Sequence, residues 1–475
     1  PEVLQPEQPA ASVAACPMWQ PDAQGGRLWG YLDTQGQWVV EAQYQQALPF
    51  YQGAAVTWVQ QGEQWLAIDR QGKTTVPKQN GQLDNSNQDG YVVLTDQGVS
   101  SLYDSNGVKV FGIEGRIGAF QGNLAPFTRQ KNGSEFYGLL DRKGNIVIEP
   151  VYAAIGVLDQ ATVIAKTVEG QVLTLDLSGE AIAALPANTV ISGAGGGFAC
   201  YQDEQGFFGY VNAAGAIAVK AQYYQTGTFQ QGAALVKTKE GFRLIDSNGN
   251  FLTQPFAAGV DLGKGLFAMQ SREEGTYAIY NAAGQAVTAN DVCQWTQWEN
   301  GLIGIENIEK SYLMDASGQI MAGSEIEGSY RLYRRGGLFY GENLTSFYYD
   351  AQGNVLYRQA PVQQLELAGW QVTSALFAPD WYVQMAYPIF GAEGFVTEGL
   401  NAMVQEWCVE DYYENNEPDA ENRYPSTLRG SYQLTTVNTL ANILYTTEIQ
   451  DNQSGQSKTI LSSCLVDMVG GQRYR

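Results

Sequence analysis

A fixed beat constrains this chain more than any other feature. Turns of the form Asp/Asn-x-x-Gly recur at Asp33–Gly36, Asp69–Gly72, Asp104–Gly107, Asp141–Gly144, Asp176–Gly179, Asn212–Gly215, Asp246–Gly249, Asn281–Gly284, Asp315–Gly318 and Asp350–Gly353. Their first residues are spaced 36, 35, 37, 35, 36, 34, 35, 34 and 35 apart. A period in this range marks a solenoid, a propeller or another stacked array. In each turn the Asp or Asn side chain accepts hydrogen bonds from backbone N–H groups further on, and the Gly takes φ > 0 without a Cβ clash. Apolar residues flank each turn, as Trp29, Tyr31 and Leu32 precede the first and Trp38, Val39 and Val40 follow it. Each turn therefore joins two strands.

A second marker, as in "YQGAAV" (Gly53), "FQGNLA" (Gly122), "QQGAAL" (Gly232), "GKGLFA" (Gly265) and "ENGLIG" (Gly301), precedes a further strand. A unit thus reads strand, strand, turn, strand, then an irregular link that often holds an aromatic such as Tyr44, Tyr152 or Tyr223. Both faces of these strands are apolar: in "EFYGLLD", Phe136 and Leu140 alternate with Tyr137 and Leu139. Such a strand belongs between layers. The glycines of "WGY", "YGL" and "FGY" (Gly30, Gly138, Gly209) are expected to let an aromatic of the adjoining unit lie on bare backbone. The expected fold is mainly β: ten tandem three-stranded antiparallel meanders, in a propeller-like ring or an open β-superhelix, followed by a small α+β domain.

Composition narrows the chemistry. The chain has no histidine, which removes Ser-His-Asp and Cys-His catalysis and histidine zinc sites. Its 27 basic and 49 acidic residues give a net charge of −22, which repels phosphate backbones and argues against nucleic-acid partners. Cys16, Cys200, Cys293, Cys408 and Cys464 are too scattered for a zinc ribbon; Cys408 and Cys464 share a segment and could pair in an oxidising compartment, against the favoured reading of free buried thiols. No apolar run is long enough for a transmembrane helix. Residues 1–25 read as a flexible leader, with Val13 to Cys16 looking like a lipoprotein cleavage box that lacks its preceding basic and apolar regions; it is expected to be a linker left after signal removal or after trimming of a longer chain. Residues 26–360 form the array and 361–475 the C-terminal domain. In that domain Val396, Leu400, Met403, Val404 and Trp407 have helical spacing, and "ANILYTTEIQ" with "KTILSSCLVDM" reads as a hairpin.

The stretches "GRLWGYLDTQGQWVVEAQYQQALPFYQGAAV", "EFYGLLDRKGNIVIEPVYAAIG" and "GFFGYVNAAGAIAVKAQYYQTGTFQQGAALV" resemble the WG repeats of bacterial proteins. Elsewhere the aromatic-Gly pair is gone and only the turn and spacing remain, as in "WLAIDRQG". The resemblance covers roughly residues 26–358. It implies bacterial origin and frequent export, and it brings no catalytic residues. The C-terminal part, with "AYPIFG" entering "LNAMVQEW", resembles a domain found ahead of some peptidoglycan deacetylases and in a lysozyme-sensing anti-sigma factor. The Gly-Gly-Ala-His loop of that family is replaced here by "DNQSGQSK".

Several groups invite a functional reading. The Asp-x-x-Gly turns offer one carboxylate each, fewer than a calcium loop needs, and "DNSNQDG" with Asp84 and Asp89 lacks its sixth-position glycine. "GAGGG" at 193–197 lacks the Lys-Ser/Thr of a phosphate loop. Trp295 and Trp298 could stack on a sugar or peptide, or fill core. Glu410, Asp411, Glu414, Glu417, Asp419 and Glu421 could draw a cation or a basic protein, or form a solvated loop. The expectation is an exported, non-enzymatic binding protein, extracellular or envelope-associated, without cofactor or metal, whose partner is a protein or an envelope glycan. A carboxylate-dependent glycan hydrolase and a structural spacer are the alternatives.

Overall fold

The computed structural model describes residues 13–21, 27–51, 53–84, 90–271, 275–307, 309–328, 330–342, 346–359, 365–367, 370–377, 383–391, 398–409, 427–437, 440–450, 457–469 and 472–474. The turns are built alike. In the first, Asp33 Oδ1 accepts from Gln35 N (2.8 Å) and Gln37 N (2.9 Å), and Gly36 N donates to Asp33 O. Asn212 and Asn281 do the same with an amide oxygen. The ten turn glycines have φ from +74° to +86°, the left-handed region that closes such a hairpin with a bulge.

Around each turn lies one small antiparallel sheet. Unit 1 comprises Cys16–Pro21, Arg27–Leu32 and Trp38–Tyr44; unit 2 comprises Gln46–Ala47, Val56–Gln61, Gln64–Asp69 and Thr74–Gln79. The chain continues in this way to unit 10, Arg331–Arg335, Leu338–Glu342, Ser346–Tyr349 and Val355–Arg358. The link expected to be irregular supplies a short fourth edge strand in most units, such as Gln46–Ala47. Units 8 and 9 merge into one seven-stranded sheet through the single pair Tyr277↔Val292.

Alternation along the strands sets the packing. In unit 2, Val59, Leu66 and Ile68 join Tyr31, Val40 and Tyr44 of unit 1, while Val56, Trp58, Trp65 and Ala67 join Val92, Leu94 and Tyr103 of unit 3. The same arrangement repeats junction by junction. A tenth cluster joins the ends, with Cys16, Met18, Trp19 and Leu32 of unit 1 packed on Leu338, Tyr340 and Tyr348 of unit 10. Ten units with ten junctions make a closed ring. The turn glycines trace the same circuit: a Cβ on Gly72 would meet Val40, on Gly249 Val219 and on Gly318 Val287, each on the preceding unit, and on Gly36 it would meet Leu356 of unit 10.

Two expectations change. Cys16–Pro21, placed in a flexible leader, is a strand paired along its length with Arg27–Leu32, and Ala14, Ala15 and Cys16 are buried. What the glycines of the aromatic-Gly pairs face first is backbone of their own unit and not an aromatic of the adjoining one. A Cβ on Gly30, Gly138 or Gly209 would strike the carbonyl oxygen of Val40, Ile148 or Val219 in its own unit, at 2.3, 2.4 and 2.5 Å. There the last strand of the unit bulges, its register jumping between Tyr31↔Val40 and Trp29↔Tyr44 in unit 1 and between Tyr210↔Val219 and Phe208↔Tyr223 in unit 6. The glycine makes room for the bulge.

Residues 365–474 contribute a separate seven-stranded sheet. It is antiparallel except where Val383–Met385 runs alongside Leu428–Gly430, and the α-helix Glu398–Cys408 lies in the crossover between them. The helix buries Leu400, Val404 and Trp407, and Asn401 pins it by accepting from Phe390 N (2.8 Å) and donating to Phe390 O (2.9 Å). Val396 lies outside the described residues. The expected hairpin forms between Leu440–Gln450 and Ser457–Asp467, with Ile443, Tyr445, Thr447 and Ile449 buried. Cys408 and Cys464 share this core as thiols rather than as a disulfide. Among the described residues no helix is long and apolar enough to cross a membrane.

The close approach at Gly30 makes Gly30→Ala costly, by about 3 kcal/mol in denaturant unfolding. Gly399→Ala, on the helix with nothing within 4 Å of the new methyl, should be neutral or stabilising by up to about 1 kcal/mol. Equal effects of the two would refute this reading of the bulge.

Acid should also loosen the turns. Asp176, Asp315 and Asp350 are held below the ordinary carboxylate value, chiefly by hydrogen bonds from the Ser178 hydroxyl, the Ser317 hydroxyl and the Asn354 amide, and further by backbone N–H groups. A carboxyl depressed in this way stabilises the fold above its unfolded pKa, and that contribution is lost as pH falls through the folded value. A triple variant, Asp176→Asn, Asp315→Asn and Asp350→Asn, should therefore show a shallower decline of Tm below about pH 4. An unchanged acid limb would remove these turns as its cause.

Candidate binding surface

On one side of the ring the hairpins that open successive units are stitched together. Gln231-Gly232, Lys264-Gly265 and Asn300-Gly301 each place both residues at positive φ, the geometry of a tight two-residue hairpin. Gln230 Nε2 donates to Asp261 Oδ2 (2.7 Å), Gly265 N donates to Gln230 Oε1 (3.1 Å), and Gln231 Nε2 reaches Lys264 O (2.8 Å). One unit further, Trp298 Nε1 donates to Leu262 O (2.5 Å) and Asn300 Nδ2 to Arg334 O (3.3 Å). Glu299 and Arg335 form a two-pronged ion pair at 3.0 Å for each contact. Burial works against the Arg335 charge, but the Glu299 carboxylate outweighs it and holds the proton more firmly than usual. Tyr333 and Tyr340 flank the guanidinium, 4.7 and 4.6 Å from their ring centres.

Two recesses open beside these hairpins. The first, of 460 Å³, lies between units 8 and 9 and is lined by Asp261, Leu262, Trp295, Thr296, Gln297 and Trp298. Here the two tryptophans singled out in the sequence come together, both half-buried. Trp295 packs edge-on against Tyr277 at 5.2 Å, and the Lys264 ammonium sits 4.6 Å over the Trp298 ring. They fill core and line a groove at once. Burial pushes the Asp261 carboxyl up, against hydrogen bonds from Gly263 N and Gln230.

The second recess, of 360 Å³, lies where the ring closes. Phe50, Tyr51 and Arg70 line it from the unit 2 side, Asn300 and Leu302 from unit 9, and Arg334 from unit 10, together with the Gly336-Gly337 hairpin. None of these was picked out from the sequence. The adjacent pair Arg334-Arg335 followed by Gly336-Gly337 was the available signal, in a chain this poor in basic residues. Glu410, Asp411 and Glu414 lie outside the described residues, as do Glu417, Asp419, Glu421 and Asp89. The Oδ1 atoms of the turn aspartates accept from backbone N–H groups, and among the described residues no group of three or more acids or cysteines could hold a metal ion.

Ring and recesses together define a mainly β repeat protein of propeller-like form. Residues 29–65, 137–160 and 208–241 match the WG containing repeat family. These segments contain Gly30, Gly138 and Gly209, the glycines opposite the bulge. Among solved structures the chain is similar to BamB from Moraxella catarrhalis, at 14% identity over 65% of this chain and 94% of that one, with a TM-score of 0.29. It is also similar to apo AztD from Citrobacter koseri, at 13% identity over 62% and 91%, TM-score 0.31. The C-terminal WD40 domain of Sif2 matches at 10% identity over 54% and 91%, TM-score 0.30. No curated protein matches the sequence.

The Glu299–Arg335 pair ties unit 9 to unit 10, and both side chains are largely shielded, at 18% and 15% exposure. Glu299→Ala, which strands the Arg335 charge, should cost about 3 kcal/mol by denaturant unfolding, and Glu299→Ala with Arg335→Met should recover part of it. A double variant no more stable than Glu299→Ala would show that the stranded charge is not the source of the loss.

Proposed function

We propose that this chain is a non-enzymatic binding protein, exported by a bacterial cell and acting at or outside its envelope. Its ring is the scaffold, and the hairpin side presents the contact surface. The sheet of residues 365–474 is a second recognition module associated with the envelope. The observation that carries the reading is the groove between units 8 and 9, where Trp295 and Trp298 stand beside the polar groups of Asp261, Thr296 and Gln297. Aromatic surface flanked by a few hydrogen-bonding groups suits an envelope glycan. Hydrolysis of a glycan would call for a second carboxyl facing the first across the bond to be broken. Among the described residues Asp261 is the one acid in the groove lining, which favours binding over cleavage.

A titration of the intrinsic tryptophan fluorescence with soluble peptidoglycan fragments tests this reading. The expected result is a saturable change, weakened at least about tenfold in Gln297→Ala and Trp298→Ala, with no release of reducing sugar. Release of reducing ends that disappears in Asp261→Asn would establish the hydrolase instead, and a flat titration would reject a glycan ligand at this groove.

A further inference from the structure

The recess at the ring closure is a different place with a different character. In a chain of net charge −22, two arginines are among the residues that line it, Arg70 from unit 2 and Arg334 from unit 10. Among the described residues neither lies within ion-pair distance of a carboxylate. The acid next along the chain from Asn300, Glu299, is engaged by Arg335 through both oxygens. Arg70 donates to Ala14 O (3.1 Å) and Ala54 O (3.3 Å) and lies 4.4 Å over the Phe50 ring. Arg334 donates to Met321 Sδ (3.4 Å), a weak acceptor that uses one of its five N–H groups.

A purely architectural role accounts for part of this. Arg70 staples two carbonyls, and that alone would justify an arginine. It does not account for Arg334, a lining residue whose guanidinium lies 6.0 Å from the Phe339 ring centre and holds no oxygen among the described residues. Nor does it account for the surroundings, because Phe50, Tyr51 and Leu302 give the same space an apolar wall.

We propose that this recess binds a small oxyanion, a carboxylate or phosphate group carried on a compact apolar body, with Arg70 and Arg334 gripping the anion and Phe50, Tyr51 and Leu302 packing on the body. Guanidinium groups match both oxyanions with paired hydrogen bonds. At 360 Å³ the space falls at the small end of ligand pockets, so the occupant is a metabolite-sized molecule. Burial already depresses the pKa of Arg70, the mark of a charge that lacks compensation, and a bound anion would supply it.

The full chain would be titrated calorimetrically, and its Tm followed, with inorganic phosphate and separately with benzoate, using chloride at equal ionic strength as the reference. The expected result is saturable binding and a raised Tm with at least one of the two, the stronger identifying the class of headgroup. Arg334→Gln should weaken that binding at least tenfold while leaving the anion-free Tm near wild type. Arg334→Lys, which keeps the charge but not the fork, should fall between them and serves if the glutamine variant does not fold. Neither anion exceeding chloride, or equal binding by the wild type and the Arg334 variants, would overturn the proposal. The tryptophan groove lies between units 8 and 9, so its glycan titration should be unaffected in Arg334→Gln.

Discussion

Strands with two apolar faces govern this molecule. In Val56–Gln61 and Gln64–Asp69 the apolar side chains divide between the two neighbours, Val59, Leu66 and Ile68 packing with unit 1 and Val56, Trp58, Trp65 and Ala67 with unit 3. A sheet of this kind has no side to offer water, so a single unit cannot be stable and each must be flanked on both faces. An open stack would leave two such faces uncovered at its ends. Closing the ring instead brings Met18, Trp19 and Leu32 onto Leu338, Tyr340 and Tyr348. At about 2 kcal/mol for each buried side chain, this junction contributes on the order of 10 kcal/mol before entropy is counted, comparable with the net stability of a whole domain.

Much of this was legible because it is written locally. An Asp or Asn that caps its own turn and a glycine at positive φ are chemical requirements of a five-residue stretch, so their spacing revealed the unit and its number. The apolar faces likewise announced layers on both sides. What the turn chemistry did not convey is which hairpin a turn closes: Asp203 makes the same bonds to Gln205 and Phe207, with Gly206 at positive φ, in the other hairpin of unit 6. Only the period separated the two. The bulge opposite Gly30 escaped because it depends on register between strands, which side-chain identity records faintly. Cys16–Pro21 escaped because its "CPMWQP" carries two prolines and no alternation, and it is a strand through its partners Arg27–Leu32 and unit 10.

The recesses were harder to foresee for the same reason. Asn300, Arg334 and Arg70 meet only because the ring closes, and no local pattern encodes a neighbour more than two hundred residues away. The tryptophans were found since aromatics three apart beside a hairpin are visible in one line of sequence, although their double duty was not. Trp298 binds Leu262 O and also faces the groove, so the distinction between core and ligand surface drawn from sequence dissolves in a wall one side chain thick.

The closing junction differs from the others in one respect that bears on function. Unit 1 is built entirely from the first strands of the ring and unit 10 from the last, so neither a shared sheet nor a connecting stretch of chain fastens these two units. Side chains do so instead: Trp19 Nε1 to Ser346 Oγ, Tyr348 OH to Pro17 O, and Arg27 to Glu342. Arg70 adds a tie from unit 2 to Ala14, just before the first strand. The recess with Arg70 and Arg334 straddles this seam, touching the units on either side of unit 1. Whatever binds there binds the closed ring and not the opened one, and by mass action must stabilise closure. At the seam, occupancy of the proposed site and closure of the ring would thus be thermodynamically coupled, because the recess is lined by residues of three units.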